Sequence, residues 1–194
     1  MIGLLIQDNA YEQDIRELLM SFYPGETYAH EVKDDLWFYV ETRLGQGEIS
    51  VLIWDRDGSR EVAEQGRTAD DPAGTGPKEG GPVSWKLAMA RTGSSDLSDH
   101  SATKNVVKKM FYQMLMERTG TGLPWGSLTG IRPTKIALTR LEEGWSRDDI
   151  RSFMKETYMA SDEKINLSVE IAAREKKLLE HLDYERGYSL YVGI

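Results

Sequence analysis

The side chains best suited to bind an anion are concentrated in one short segment, T-G-I-R-P-T-K. They are two hydroxyls, a guanidinium and an ammonium group, supplied by Thr129, Thr134, Arg132 and Lys135. Pro133 is typical of the first turn of a helix, where its missing N–H leaves no hydrogen bond unmade. The free backbone N–H groups and the dipole of a helix start attract negative charge. The segment therefore indicates an anion site at the beginning of a helix.

The composition excludes most other site chemistry. The 194 residues contain no cysteine, and the three histidines, His30, His100 and His181, lie far apart. Disulfides, thiolate zinc sites, a cysteine nucleophile and an iron–sulfur cluster held by cysteines of this chain are ruled out. No short metal-ligand motif remains. We therefore expect this chain to bind neither a metal ion nor a cofactor by itself.

The charge distribution argues against two classes of partner. The formal net charge is −8, and the first 56 residues alone hold 4 basic and 11 acidic side chains, a net charge of −7. Such a surface repels phosphate backbones, so nucleic acid is not expected as a partner. There is no long apolar run to span a membrane and no basic start typical of a signal peptide, which predicts a cytoplasmic protein.

The first 122 residues predict an α+β domain. Its pattern is β-α-β-β-β-β-α, which indicates an antiparallel sheet of four to five strands with two helices on one face. Residues 57–82 are rich in glycine and proline and predict a mobile loop at a hairpin tip. The expected strands are Gly3–Gln7, Glu26–Val32, Leu36–Leu44, Glu48–Arg56 and Val83–Arg91, and the expected helices are Tyr11–Phe22 and Ser101–Arg118.

Residues 123–186 predict an α-helical linker region. A helix is expected over Pro133–Glu143, ended by Gly144. Ser146 and Ser161 are expected to cap two further helices, which end near residues 158 and 182. The last residues, 187–194, form a short apolar run that predicts a strand, although nothing follows it to complete a sheet.

Three segments carry a resemblance to a known family. Residues 125–135 read W-G-S-L-T-G-I-R-P-T-K and resemble the W-G-x-L-T-G-I-R-P-T-K motif of the oxygen-independent coproporphyrinogen III oxidase (dehydrogenase)-like radical SAM proteins of the HemZ type. Residues 162–165 are similar to the family's D-E-K-I. Residues 189–194, S-L-Y-V-G-I, are similar to its S-[LI]-Y-[IV]-G-I. In that family the next residues are P-F-C-P-x-x-C-x-Y-C.

The resemblance implies a fragment of a longer enzyme. The family's three cysteines hold a [4Fe–4S] cluster that binds S-adenosylmethionine, and the chain would end just before them, in the first strand (187–194) of a radical SAM barrel. Tyr191 matches a tyrosine that lies beside the cluster and S-adenosylmethionine. The parent would oxidatively decarboxylate porphyrinogen propionates in haem biosynthesis, or act as a haem chaperone or methyltransferase. The fragment itself would have no catalytic residue, and its own barrel would be its partner.

The resemblance also gives the motif residues alternative roles. Arg132 and its neighbours could bind a propionate of the porphyrinogen, or Arg132 could form an ion pair that joins the helices to the barrel or to the acidic sheet. Trp125 could stack on the flat tetrapyrrole or pack between elements of the protein. Independently of the family, the chain could be a stand-alone binding module, and it could dimerise through the unpaired edge of its last strand.

Overall fold

The computed structural model describes residues 1–45, 47–57, 83–129 and 132–180. The chain divides into two compact units, Met1–Met114 and Leu115–Ile194, called here the sheet unit and the helical unit. The expected mobile loop, apart from Asp57, and the expected strand 187–194 lie outside the described residues. The elements in order are β1 (Ile2–Ile6), a 3₁₀ turn (Asn9–Tyr11), α1 (Glu12–Phe22), β2 (Tyr28–Ala29), β3 (Phe38–Gly45), β4 (Glu48–Arg56), β5 (Trp85–Ser94), α2 (His100–Thr119), α3 (Pro133–Glu142), α4 (Arg147–Tyr158) and α5 (Asp162–Leu179).

The sheet is mixed, with the strand order β2-β1-β3-β4-β5. The expected α+β class is confirmed, but the expectation of an antiparallel sheet is wrong, because β1 runs parallel to both β2 and β3. The cause is α1, which returns the chain to the end of the sheet where β1 began, as a crossover helix does. Only the hairpin-like pairs β3–β4 and β4–β5 are antiparallel.

One face of the sheet is covered by both α1 and α2. Alternate strand residues such as Leu4, Val40 and Ile53 are fully or almost fully buried, as expected for side chains of period two that face a core. The helices also contact each other, since the rings of Phe22 and Tyr112 have centroids 5.7 Å apart. The expected placement of two helices on one face is therefore observed.

A buried ion pair joins these two helices. The helical periodicity of the sequence predicts that Lys104, Lys108 and Lys109 share the solvent-exposed face of α2, but Lys108 is only 8% exposed. Its Nζ lies 3.3 Å from one carboxylate oxygen of Asp14 on α1, and Lys104 Nζ lies 2.8 Å from the other. Burial lowers the pKa of Lys108, and the charge of Asp14 partly opposes that shift. Asp14 is therefore the main group that offsets the desolvation of Lys108.

The helical unit packs α3, α4 and α5 around a small apolar core. Ser146 and Ser161 cap α4 and α5 as expected, because each hydroxyl accepts a hydrogen bond from the backbone N–H three residues later. The core residues are Leu128, Ala137, Ile150, Met154, Ala160, Ile165, Val169 and Ala172. The helical periodicity of the sequence predicts Leu178 on the buried side of α5 with Ile165, Val169, Ala172 and Leu179, but Leu178 is exposed. In the described part of the chain, no helix is long and apolar enough to cross a bilayer.

Removal of the buried carboxylate tests the contact between α1 and α2. We expect Asp14→Ala to lower the free energy of unfolding by about 3 kcal/mol, because the buried Lys108 ammonium loses the carboxylate that contributes most to offsetting its desolvation. The measurement is urea denaturation followed by tryptophan fluorescence.

Two further variants act as controls. Lys104→Ala removes the solvent-exposed partner of Asp14 and should cost no more than about 1 kcal/mol. The double variant Asp14→Ala/Lys108→Met should recover much of the lost stability, because no buried charge remains. Equal losses in Asp14→Ala and Lys104→Ala would contradict the proposed dependence.

Candidate functional site

The first half of the W-G-S-L-T-G-I-R-P-T-K motif forms a tight turn, named here the motif turn (123–128). The N–H of Gly126 donates to the carbonyl of Leu123 at 2.9 Å, and the N–H of Leu128 donates to that of Trp125 at 3.2 Å. Leu128 then enters the helical core. The motif turn is therefore part of the packed interior of the helical unit.

The motif turn contacts the junction between α4 and α5. The backbone N–H of Ser127 donates to the carbonyl of Tyr158 at 2.8 Å, and the Ser127 hydroxyl is 3.3 Å from the same oxygen. In return, the N–H of Ser161 donates to the carbonyl of Pro124 at 2.9 Å. The turn thus satisfies a carbonyl at the end of α4 and an N–H at the start of α5, groups that helix ends leave without partners.

Gly126 is required by this close approach. Its φ is +59°, and a Cβ atom built there would lie 1.9 Å from the carbonyl oxygen of Tyr158. Met159, the next residue along the junction, is itself in the left-handed region with φ 55°. Two backbones therefore meet at a distance that excludes any side chain at position 126.

Trp125 and Trp145 both pack within the helical unit. Trp125 lies against the helical core, and Lys164 Nζ is 5.8 Å from the centre of its ring. The ring of Trp145 contacts that of Phe153 at 5.6 Å, with the guanidinium of Arg140 4.8 Å from its centre. These are ordinary aromatic and cation–π contacts. Trp125 therefore has a packing role here, and its stacking on a tetrapyrrole stays a prediction.

The cationic half of the motif lies at the start of α3. Arg132 is the N-cap residue, with Pro133 in the first position as expected, and the Arg132 side chain makes no capping hydrogen bond. Arg132 and Lys135 are exposed, whereas Thr129 and Thr134 are partly buried. Among the described residues of the helical unit, neither Arg132 nor Lys135 forms an ion pair. Both positive charges are thus accessible from solvent at a helix start.

A cleft of about 510 Å³ lies elsewhere in the helical unit, where α3 and α5 end and α4 begins. Sequence reasoning missed it because its charged residues come from three helices and form no motif. Lys176 in this cleft donates to the carbonyl of Leu141, so part of its charge serves the end of α3. The lining residues are Glu142, Arg147, Ala173, Lys176, Lys177, Leu179 and Glu180.

A second cavity, of about 450 Å³, lies in the sheet unit at the carboxyl ends of β1 and β3. His30 Nδ1 is 3.6 Å from a carboxylate oxygen of Glu12, and the carboxylate of Glu41 is held by Arg43. The charge of the Glu41 carboxylate is therefore offset by Arg43 within this cavity. Its composition indicates no particular ligand.

The residues present do not fit an iron–sulfur cluster. The sequence lacks the thiolates that such a cluster needs. In the described ranges there is also no group of three or more histidine, aspartate or glutamate side chains that could hold a metal ion. Tyr191, the residue expected beside the cluster, lies outside the described residues.

These features define two units in one chain, an α+β sheet unit and a packed helical unit with an exposed cationic helix start. Over 193 residues, 97% of the chain, the sequence is 34% identical to the oxygen-independent coproporphyrinogen-III oxidase-like protein HemZ of Bacillus subtilis (strain 168). The resemblance inferred from the motifs is thereby confirmed, and the chain is a relative of HemZ. It spans 34% of the length of that relative. No family model and no solved structure matches the chain.

Substitution of Gly126 tests the role of the motif turn. We expect Gly126→Ala to destabilise the helical unit by about 3 kcal/mol, because the methyl group collides with the carbonyl of Tyr158. Gly144→Ala is the matched control, since Gly144 has φ +86° but open space where a Cβ would lie. The control should be destabilised by only about 1 to 2 kcal/mol, because alanine at a positive φ adds backbone strain but no collision. The free energy of unfolding is measured by urea denaturation, monitored by circular dichroism. Equal losses of stability in the two variants would contradict the close packing at Gly126.

The pH dependence of stability tests the burial of Tyr158. Burial raises the pKa of this hydroxyl above its ordinary value of 10.0. The neutral Tyr158 hydroxyl therefore makes its full contribution to the free energy of unfolding below pH 10. That contribution is lost as the pH rises through the folded-state pKa, because Tyr158 ionises at a lower pH in the unfolded chain than in the folded protein. Tyr158→Phe should lose less stability than the wild type between about pH 9.5 and 11. Parallel pH profiles for the two proteins, measured by urea denaturation, would contradict this.

Proposed function

We propose that this chain is the N-terminal accessory region of a longer radical SAM protein of the coproporphyrinogen III oxidase-like class, and that it is not catalytic alone. The observation that carries the proposal is the match to HemZ, which covers 97% of the chain but only 34% of the relative. The absence of cysteine from the chain agrees with this, because the cluster ligands then come from another part of the protein.

The parent protein would work in the cytoplasm in haem biosynthesis, with a [4Fe–4S] cluster and S-adenosylmethionine bound outside this chain. Its reaction would be the oxidative decarboxylation of porphyrinogen propionates to vinyl groups. Activity as a haem chaperone or methyltransferase is the alternative. An assay of the parent protein with coproporphyrinogen distinguishes these activities, since only oxidative decarboxylation yields carbon dioxide and vinyl products.

Within this region, the start of α3 is the proposed contact for a propionate. Arg132 presents a planar guanidinium that matches a carboxylate with two parallel hydrogen bonds. Lys135 adds a second exposed charge three positions later, and the positive end of the helix dipole acts in the same direction. A porphyrinogen with four carboxylates could be held here by one of them while another part of the protein reacts with it.

The first experiment asks whether the reading frame of the native gene continues after Ile194. We expect it to continue into P-F-C-x-x-x-C-x-x-C. A stop codon directly after Ile194, together with an intact native protein of 22.0 kDa by mass spectrometry, would refute the accessory role.

The second experiment tests Arg132 in the parent protein. We expect Arg132→Ala to raise KM for coproporphyrinogen about tenfold with little change in kcat or Tm, because one bidentate contact made equally in the ground and transition states is lost. Arg147→Ala is the matched control, since Arg147 is an exposed arginine in the first position of α4. An unchanged KM with a lowered Tm in Arg132→Ala would instead assign Arg132 to an ion pair.

A further inference from the structure

α5 carries apolar residues on two opposite sides. Ile165, Val169 and Ala172 form the buried side and belong to the core of the helical unit. Leu167, Ile171 and Leu178 are 44%, 41% and 78% exposed. At 100° per residue these three lie within about 40° of one another around the helix axis. They form a line along one face of the helix, with Arg174 between Ile171 and Leu178, and are named here the α5 stripe.

The α5 stripe differs from the other exposed apolar residues. Met20, Val32, Leu87, Leu97 and Met116 each lie on a different element or loop of the described chain. Single exposed apolar side chains of that kind are normal on any protein surface. Within the described residues, α5 is the one element that carries more than one exposed large apolar side chain, and its three such side chains share a face. A line of aliphatic side chains at these spacings is the form in which a helix packs into an apolar groove.

We propose that the α5 stripe is the surface on which the remainder of the HemZ-like protein packs. This inference rests on the proposed accessory function. The match to HemZ leaves about two thirds of that relative's length outside the chain. α5 is the last described helix, so a domain that follows in the same chain is held near the stripe at high effective concentration. The occupant would present an apolar groove with an acidic group at its rim.

The acidic rim is inferred from Arg174. This exposed residue lies on the same face of α5, between Ile171 and Leu178. When the stripe packs against another surface, the Arg174 guanidinium lies inside that contact, and a carboxylate on the opposing surface offsets the cost of its desolvation. A second copy of the chain also carries carboxylates next to this position, at Glu170 and Glu175. Charge therefore predicts an acidic rim but does not separate a following domain from self-association, and the test below makes that distinction.

The test compares a triple variant in the parent protein and in the 194-residue chain. Leu167→Gln/Ile171→Gln/Leu178→Gln keeps helix propensity while it removes the apolar line. Met20→Gln is the control, because Met20 is a single apolar residue on α1 that is 53% exposed. Hydrogen exchange of α5 amides and thermal unfolding are measured for each protein in both lengths of chain.

In the parent, the stripe amides should exchange at least about tenfold more slowly than in the 194-residue chain, and the triple variant should abolish that difference. The triple variant should lower the Tm of the parent and leave that of the 194-residue chain unchanged, while Met20→Gln changes neither. Equal exchange in both lengths of chain would overturn the inference. A dimer of the 194-residue chain that the triple variant dissociates would also overturn it, since the stripe would then serve self-association.

These outcomes separate the inference from the proposed function. If the parent continues into the cluster motif but α5 exchanges equally in both lengths of chain, only the docking surface is wrong. If the gene stops after Ile194, the accessory role and the docking surface both fail.

Discussion

The helical unit depends on an exchange of backbone hydrogen bonds between the motif turn and the α4–α5 junction. Ser127 donates to the carbonyl of Tyr158, and Ser161 donates to the carbonyl of Pro124. These bonds satisfy polar groups at the end of one helix and the start of the next, which would otherwise be costly to bury. They require two backbones to approach closely, so position 126 must be glycine. The contact holds the α4–α5 junction against the turn that carries Leu128 into the shared core.

This contact divides the motif into two parts with different physical roles. Residues 125–128 are tied to the core through the turn and through Leu128. Arg132 and Lys135, in the second part, remain exposed at the start of α3. A structural role for the first part and a binding role for the second are therefore compatible. The rigid turn would hold the helix start in place, as a binding contact requires.

The sheet unit is organised around a different constraint, the burial of a lysine between two helices. Lys108 is tolerated because Asp14 lies beside it, and the pair links α1 to α2 over 94 residues of sequence. Buried ion pairs of this kind contribute little net stability but are costly to break. The pair thereby disfavours other ways of placing α2 on the sheet. The helical unit has its own constraint in the motif turn, so each unit has a distinct origin of specificity.

Local chemistry was sufficient to predict several features from the sequence alone. The helix starts at Pro133, Ser146 and Ser161 follow from proline and hydroxyl capping, which act within three or four residues. The α+β class and the relation to HemZ also follow, because hydrophobic periodicity and a specific motif are properties of the linear chain. The tertiary structure decided the parallel direction of β1, the burial of Lys108 and the exposure of Leu178. Each of these depends on a partner distant in sequence, and the periodicity of a single segment carries no information about that partner.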